Sequence, residues 1–156
     1  MADISENDAR VFVDAVTNYF NHLSGETAAI RSAYLADTHL PRFDYTGLIS
    51  LSGQFRGSVY FSASSLMAAK LLLAMRETDT AKSNLLDIVG EVANTIAGNA
   101  RKHYGAGLEI STPVTIYGHA DEVRAAVRAR PFAIELQWQK SEGVVLVDLE
   151  VVTRAC

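Results

Sequence analysis

One cysteine, Cys156, stands in the whole chain, which excludes an internal disulfide framework and a thiolate metal cluster. Prolines are also few, and the scatter of Pro41, Pro113 and Pro131 marks no linker. Apolar runs are short. The longest, residues 71–75, falls far below the about 20 residues of a membrane span, so no membrane partner is expected. Positive charge is not in excess: 14 Lys+Arg against 18 Asp+Glu leave a formal net charge of −4, which argues against a nucleic-acid partner. The opening Met-Ala-Asp-Ile-Ser-Glu-Asn-Asp is polar and acidic, the reverse of a secretory leader, and a cytoplasmic protein is expected. His22, His39, His103 and His119 have no metal-ligand spacing. No phosphate loop, nucleophile elbow or pair of catalytic carboxylates is recognisable. What is present is ordinary. The hydrophobic fraction is 49% and the length is 156 residues, which fits a single domain over 1–156. A chain of this size buries roughly 70% of its unfolded surface and needs no staple.

The hydrophobic pattern gives an order of elements. Ser5 is placed to cap a helix whose apolar residues Phe12, Val13, Val16, Tyr19, Phe20 and Leu23 recur at helical spacing until Gly25. Residues 27–35 alternate as a strand, and 40–45 read as loop. Residues 45–62 read as a hairpin turning at Gly53-Gln-Phe-Arg-Gly57. Ser64 or Ser65 can cap a second helix over 66–75. The longest helical pattern spans 83–104, with Lys102 and His103 in its last turn and Gly105 as its stop. Residues 114–117 form a strand, 119–130 fit helix or edge strand, and 132–139 with 144–153 form a second hairpin across Lys140-Ser-Glu-Gly143. The last strand is apolar on both faces, so it is expected to be central or covered, in the second case by another copy. The expected fold class is α+β: two layers, a largely antiparallel sheet covered by about three helices.

The long helix separates into two stripes. Leu85, Val89, Val92, Ala93, Ile96 and Ala100 gather on one side as a core face. Asn84, Asp87, Glu91, Asn94, Thr95 and Gly98 fall opposite. Asp87 and Glu91 are like charges one turn apart, and no lysine answers Glu91 one turn later. Glu91 and Asn94 are neighbours at a spacing of three. Gly90 and Gly98 flank them, at a cost of about 1 kcal/mol each relative to alanine. Two readings are open. The face is simply solvated and the glycines serve packing, or the glycines lower the helix surface so that a carboxylate and a carboxamide protrude toward a close-fitting partner. Elsewhere, Arg124, Arg128 and Arg130 read as a solvated cluster, and Trp138 and Tyr60 as strand-packing aromatics.

The run Asp87-Ile-Val-Gly-Glu91-Val-Ala-Asn94 resembles the signature of the CheC/CheX/FliY phosphatases of bacterial chemotaxis: an Asp or Ser, three residues, Glu, two residues, Asn. Ile49-Ser-Leu-Ser-Gly53 and Gly57-Ser-Val-Tyr-Phe61 resemble the hairpin before the helix pair in that family. The likeness runs from the first helix to the last hairpin. It is strongest to the CheX-type members, which carry one such site. The first helix holds no second copy, since Ala9 follows Glu6 and Ala15 precedes Asn18 at the required spacing. A proline lies downstream of the Asn in the family pattern; Pro113 stands there at a shorter gap.

The resemblance implies a CheC-like domain and an aspartyl-phosphate phosphatase whose substrate is a phosphorylated CheY-type receiver domain. It implies catalytic roles for Glu91 and Asn94, with Asp87, Gly90 and Gly98 as supporting partner-binding residues. Asn94 would orient a water in line with the phosphoryl group, and Glu91 would pair with a lysine of the receiver. The protein would need no cofactor of its own, because the regulator brings Mg²⁺. CheX-type members also form homodimers by joining sheets. A second function class shares the fold: a non-catalytic module that binds phosphorylated receivers, similar to the flagellar switch proteins, or a signalling scaffold.

Overall fold

The structure, a computed structural model, describes residues 4–36, 41–118 and 130–152. The chain opens with α1 (Glu6–Ser24). Ser5 caps it, its hydroxyl accepting from the Asp8 amide at 3.1 Å, and Gly25 closes it in the left-handed region at φ 75°. Three strands follow, β1 (Ala29–Leu35), β2 (Tyr45–Gly53) and β3 (Phe55–Ala63). Two helices come next, α2 (Ser65–Ala74), capped by Ser64, and α3 (Lys82–Tyr104). A single turn of tighter helix (Gly105–Gly107) leads into β4 (Leu108–Ile110), β5 (Val114–Tyr117), β6 (Phe132–Trp138) and β7 (Ser141–Val151). The expected order of helix, three strands, two helices and further strands is the observed one. Most of 119–130 lies outside the described residues.

All strand pairings are antiparallel and belong to one sheet, ordered β1-β6-β7-β3-β2-β4, with β5 sharing the β2 edge beside β4. Among the described residues the three α-helices lie on one face of it. Beneath them sits the main core, built from Phe12 and Phe20 of α1, Met67 and Leu71 of α2, Ile96 of α3 and Val147 of β7. The opposite face is not bare. Leu48, Tyr60, Ala133, Val144 and Leu146 form a second cluster with Phe43 packed on it. Tyr60 lies in this cluster and donates its phenol to the Pro41 carbonyl at 2.7 Å. Trp138 packs in the main core, its ring 5.3 Å from that of Phe20.

Two local expectations change, and one left open is decided. The first hairpin turns at Gln54, and Gly57 is a paired strand residue opposite Leu51. Its φ is 152°, and a Cβ there would stand 1.8 Å from the Asp148 carbonyl oxygen, so Gly57 admits the close approach of β3 and β7. The second hairpin is also tighter than expected. Gln139 and Lys140 take φ of 50° and 61°, the paired positive values of a two-residue hairpin turn. Neither residue type announces such a turn, which usually carries Asn or Gly. The Lys70 ammonium steadies it by donating to the Gln139 carbonyl. Finally, β7 is interior, hydrogen-bonded to β6 on one side and β3 on the other. That position accounts for apolar residues on both its faces, with Val145 and Val147 toward the helices and Val144 and Leu146 in the second cluster. No second copy is needed to cover it.

Candidate active site on the outer face of α3

The site is a property of where α3 lies. It packs on β2 and β3 beneath it and against α1 and α2 beside it. Burial is therefore broader than the single stripe read from the sequence. Ile88, Gly90 and Ala97 are buried as well as Leu85, Val89, Val92, Ala93, Ile96 and Ala100. Asp87, Glu91 and Asn94 remain exposed. They are the residues that this packing leaves facing outward, because the adjacent positions are claimed by sheet and neighbouring helices.

The helix carries no side-chain cap at Ala81. Its first turn is tied instead by Asn84, which donates to the Asp79 carbonyl at 2.9 Å, and by the Asp79 carboxylate, which accepts from the Ala81 amide at 3.0 Å. At the other end Arg101 donates through Nε to the Leu108 carbonyl at 2.7 Å. The Tyr104 phenol donates to the Asp8 carboxylate at 2.5 Å, joining the end of α3 to the start of α1. The first turn of the site helix is thus tied to the loop before it, and its last turns to β4 and α1.

The two glycines differ. Gly90 faces the sheet: a Cβ there would meet Thr115 Cγ2 at 2.9 Å and Pro113 Cβ at 3.4 Å. Opposite it lies Gly47 of β2, whose Cβ would stand 2.4 Å from the Val89 carbonyl oxygen and 2.7 Å from Gly90 Cα. Gly47 and Gly90 together let helix and strand backbones touch. This corrects the expectation that Gly90 supports a partner contact; it is buried under β5 and sets the depth of α3 on the sheet. Gly98 is different. A Cβ there would meet nothing within 4 Å, and the position is half-exposed one turn beyond Asn94.

The electrostatic setting of Glu91 is open on its own helix. Asp87 precedes it by one turn, and among the described residues no cation pairs with either carboxylate. Thr95, one turn later, donates its hydroxyl to the Glu91 main-chain carbonyl at 2.9 Å. Beside Glu91 a cavity of about 520 Å³ opens between α1 and α3, lined by Asn18, Tyr19 and His22, by Glu91 and Asn99, and by Met75 after α2. Burial, and secondarily the Glu91 charge, push the Tyr19 phenol well above the ordinary tyrosine value. Tyr19 reads in the sequence as one more core residue of the first helix; its place beside Glu91 depends on how two helices pack, which no local pattern reports. Among the described residues no three His, Cys, Asp or Glu are grouped to hold a metal, and no helix is long and apolar enough to cross a membrane. What the face offers chemically is the Glu91 carboxylate and the Asn94 carboxamide, adjacent and solvent-facing, with the Asp87 carboxylate one turn before them.

Sheet and helix layer together make a CheC-like fold. Solved structures share the fold. A putative chemotaxis protein from Desulfovibrio vulgaris Hildenborough is 23% identical, with a TM-score of 0.77 over 96% of this chain and 100% of that one. The chemotaxis protein CheX from Vibrio vulnificus is 20% identical, with a TM-score of 0.75 over 92% and 99% of the two chains. A complex of CheX, CheY, BeF₃ and Mg²⁺ from Borrelia burgdorferi matches at 18% identity and a TM-score of 0.72, over 90% and 96%. No curated protein matches the chain. The sequence model of the chemotaxis phosphatase CheX matches residues 45–137, from the start of β2 nearly to the end of β6, and the chain belongs to that family.

Proposed function

We propose that this protein hydrolyses the aspartyl phosphate of a CheY-type response regulator, using Glu91 and Asn94 as its one catalytic pair. The observation that carries the reading is the exposure of both side chains, neighbours on the outer face of α3, in a chain of the chemotaxis phosphatase CheX family. The Borrelia burgdorferi neighbour, seen with CheY, BeF₃ and Mg²⁺, supports a receiver domain as partner.

Hydrolysis of an acyl phosphate adds water at phosphorus, breaks the bond to the aspartyl oxygen, and releases inorganic phosphate and a free carboxylate. Such transfer depends on positioning and charge stabilisation. A carboxamide both accepts and donates hydrogen bonds without ionising, so Asn94 can hold the water in line. Glu91 pairs with the regulator's lysine and fixes register. The regulator's Mg²⁺ neutralises charge on the phosphoryl oxygens; this protein contributes no metal of its own. Asp87 adds negative charge beside Glu91, and Gly98 keeps the helix surface low where the regulator settles. The reading treats residues 1–156 as one domain acting in the cytoplasm as a homodimer. Because β7 is interior, sheet joining would use one of the two outer edges, β1, where Ile30 and Tyr34 are exposed, or β4 and β5, where Val114 and Tyr117 are. Light scattering that finds only monomer at micromolar concentration removes the dimer.

The test is the decay of a phosphorylated receiver domain from the same organism, with and without the protein. Acceleration is expected. Asn94→Ala should lower it about 100-fold, as loss of a transition-state contact does, and Glu91→Ala should also weaken the complex. Binding without acceleration would establish the non-catalytic module instead. An active Asn94→Ala variant would remove Asn94 from the mechanism.

A further inference from the structure

Among the described residues the Glu91 carboxylate makes no hydrogen bond or ion pair; on its own helix Asn99 and Lys102 line the same cavity, two and three turns further along. Asp87 repels the carboxylate, and the Thr95 hydroxyl is engaged by the Glu91 main-chain carbonyl at 2.9 Å. The neighbour that can act comes from α1. Tyr19 and Glu91 line the same cavity of about 520 Å³. The Tyr19 ring is seated edge-on against Phe20, with centroids 5.2 Å apart and planes at 88°. Phe20 is itself fully buried and packed on Trp138, so the tyrosine stands on a fixed base. The phenol keeps its proton well beyond neutral pH, burial being the main cause and the Glu91 charge the second. The two are not hydrogen-bonded in the unbound protein, but a protonated phenol that shares a cavity with a carboxylate is a donor available to it. A free glutamate side chain loses about 1.5–2 kcal/mol of rotamer entropy when it is fixed, and restricting it beforehand lowers the cost of docking.

Resting on the phosphatase reading, we propose that Tyr19 is a positioning residue: from α1 its phenol confines the Glu91 carboxylate to the cavity rim, so that the regulator's ammonium meets it already placed. Tyr19 touches neither phosphoryl group nor water. Its effect should therefore fall on association with the regulator and spare the chemical step, which rests on Asn94.

The experiment measures receiver dephosphorylation against receiver concentration for the wild type, Tyr19→Phe, Glu91→Gln and the double variant. Phenylalanine keeps the ring on Phe20, and an unchanged melting temperature verifies that. Tyr19→Phe should raise the half-saturating concentration roughly 3- to 10-fold, the range for one lost hydrogen bond, and leave the maximal rate unchanged. In the Glu91→Gln background the same substitution should change almost nothing, because its object is gone. An unaltered half-saturating concentration with normal acceleration overturns the role of Tyr19 and leaves the phosphatase reading standing. So does an equal loss in both backgrounds, or a loss confined to the maximal rate. No acceleration by the wild type overturns both.

Discussion

The two long sides of α3 use the same residue type for opposite ends. On the inner side Gly90 meets Gly47, and the absence of two side chains lets a helix backbone rest on a strand. On the outer side a Cβ at Gly98 would meet nothing within 4 Å, and its missing side chain leaves a low surface beyond Asn94. Composition registers both as the same conformational cost to a helix. Packing separates them: one belongs to the folding of the domain and the other to what the domain meets. The inner side should therefore govern stability alone, and association with the regulator should depend on the outer side.

Substitutions can break that division. The largest effect is expected at Gly47. Alanine there sets a methyl group against main-chain atoms that have no room to yield, and should cost about 3 kcal/mol. Urea denaturation would read the loss, while stimulated decay per folded molecule stays at the wild-type level. Reduced activity in the folded fraction would show that the inner side shapes the site. Gly90→Ala is milder. Its contact is the Thr115 methyl on a short edge strand, and gained helix propensity offsets part of the strain, leaving a loss of about 1 kcal/mol. Gly98→Ala should do the reverse, raising stability by up to about 1 kcal/mol while weakening regulator association. A stabilised variant with undiminished association would mean that the regulator does not approach this turn. The smallest effect is expected at Asp87. Asp87→Lys replaces a like-charge pair with an opposite-charge one, for about 0.3 kcal/mol of stability at low salt. It should also lower affinity by putting a competing cation beside Glu91, and that loss should shrink as salt is added.

Much of this arrangement is legible in the chain itself. Ser5, Ser64, Gly25 and Gly105 mark helix ends because capping chemistry is local. The order of elements follows from periodicities that a reader can count. The spacing of Asp87, Glu91 and Asn94 places them together on α3, and the structure leaves all three exposed. The misreadings are instructive because each involves a relation between distant segments. Gly57 looks like a turn residue until β7 is laid beside it. Gly90 looks like part of a contact face until Gly47 and Pro113 are brought against it. Val144 to Leu149 are no misreading: apolar on both faces, they mark a strand that is central or covered, and the pairing with β3 and β6 makes it central. Tyr19 is hidden for the same reason as the two glycines. Its spacing suits a core face, and its proximity to Glu91 exists only through the packing of α1 on α3. The β4 strand, three residues long, is too short for any pattern to declare.

Glu91 and Asn94 ride on consecutive turns of one helix whose far end is fastened to β4 and α1. Their separation is set by the pitch of an α-helix. Because both residues sit on one continuous helix, their spacing does not depend on the movement of any other element. A ligand or modification that controls this protein would then have little purchase on the alignment of its working groups. It would act as a cover does, by occupying the outer face or by competing for the regulator, and inhibition should be relieved by adding more regulator.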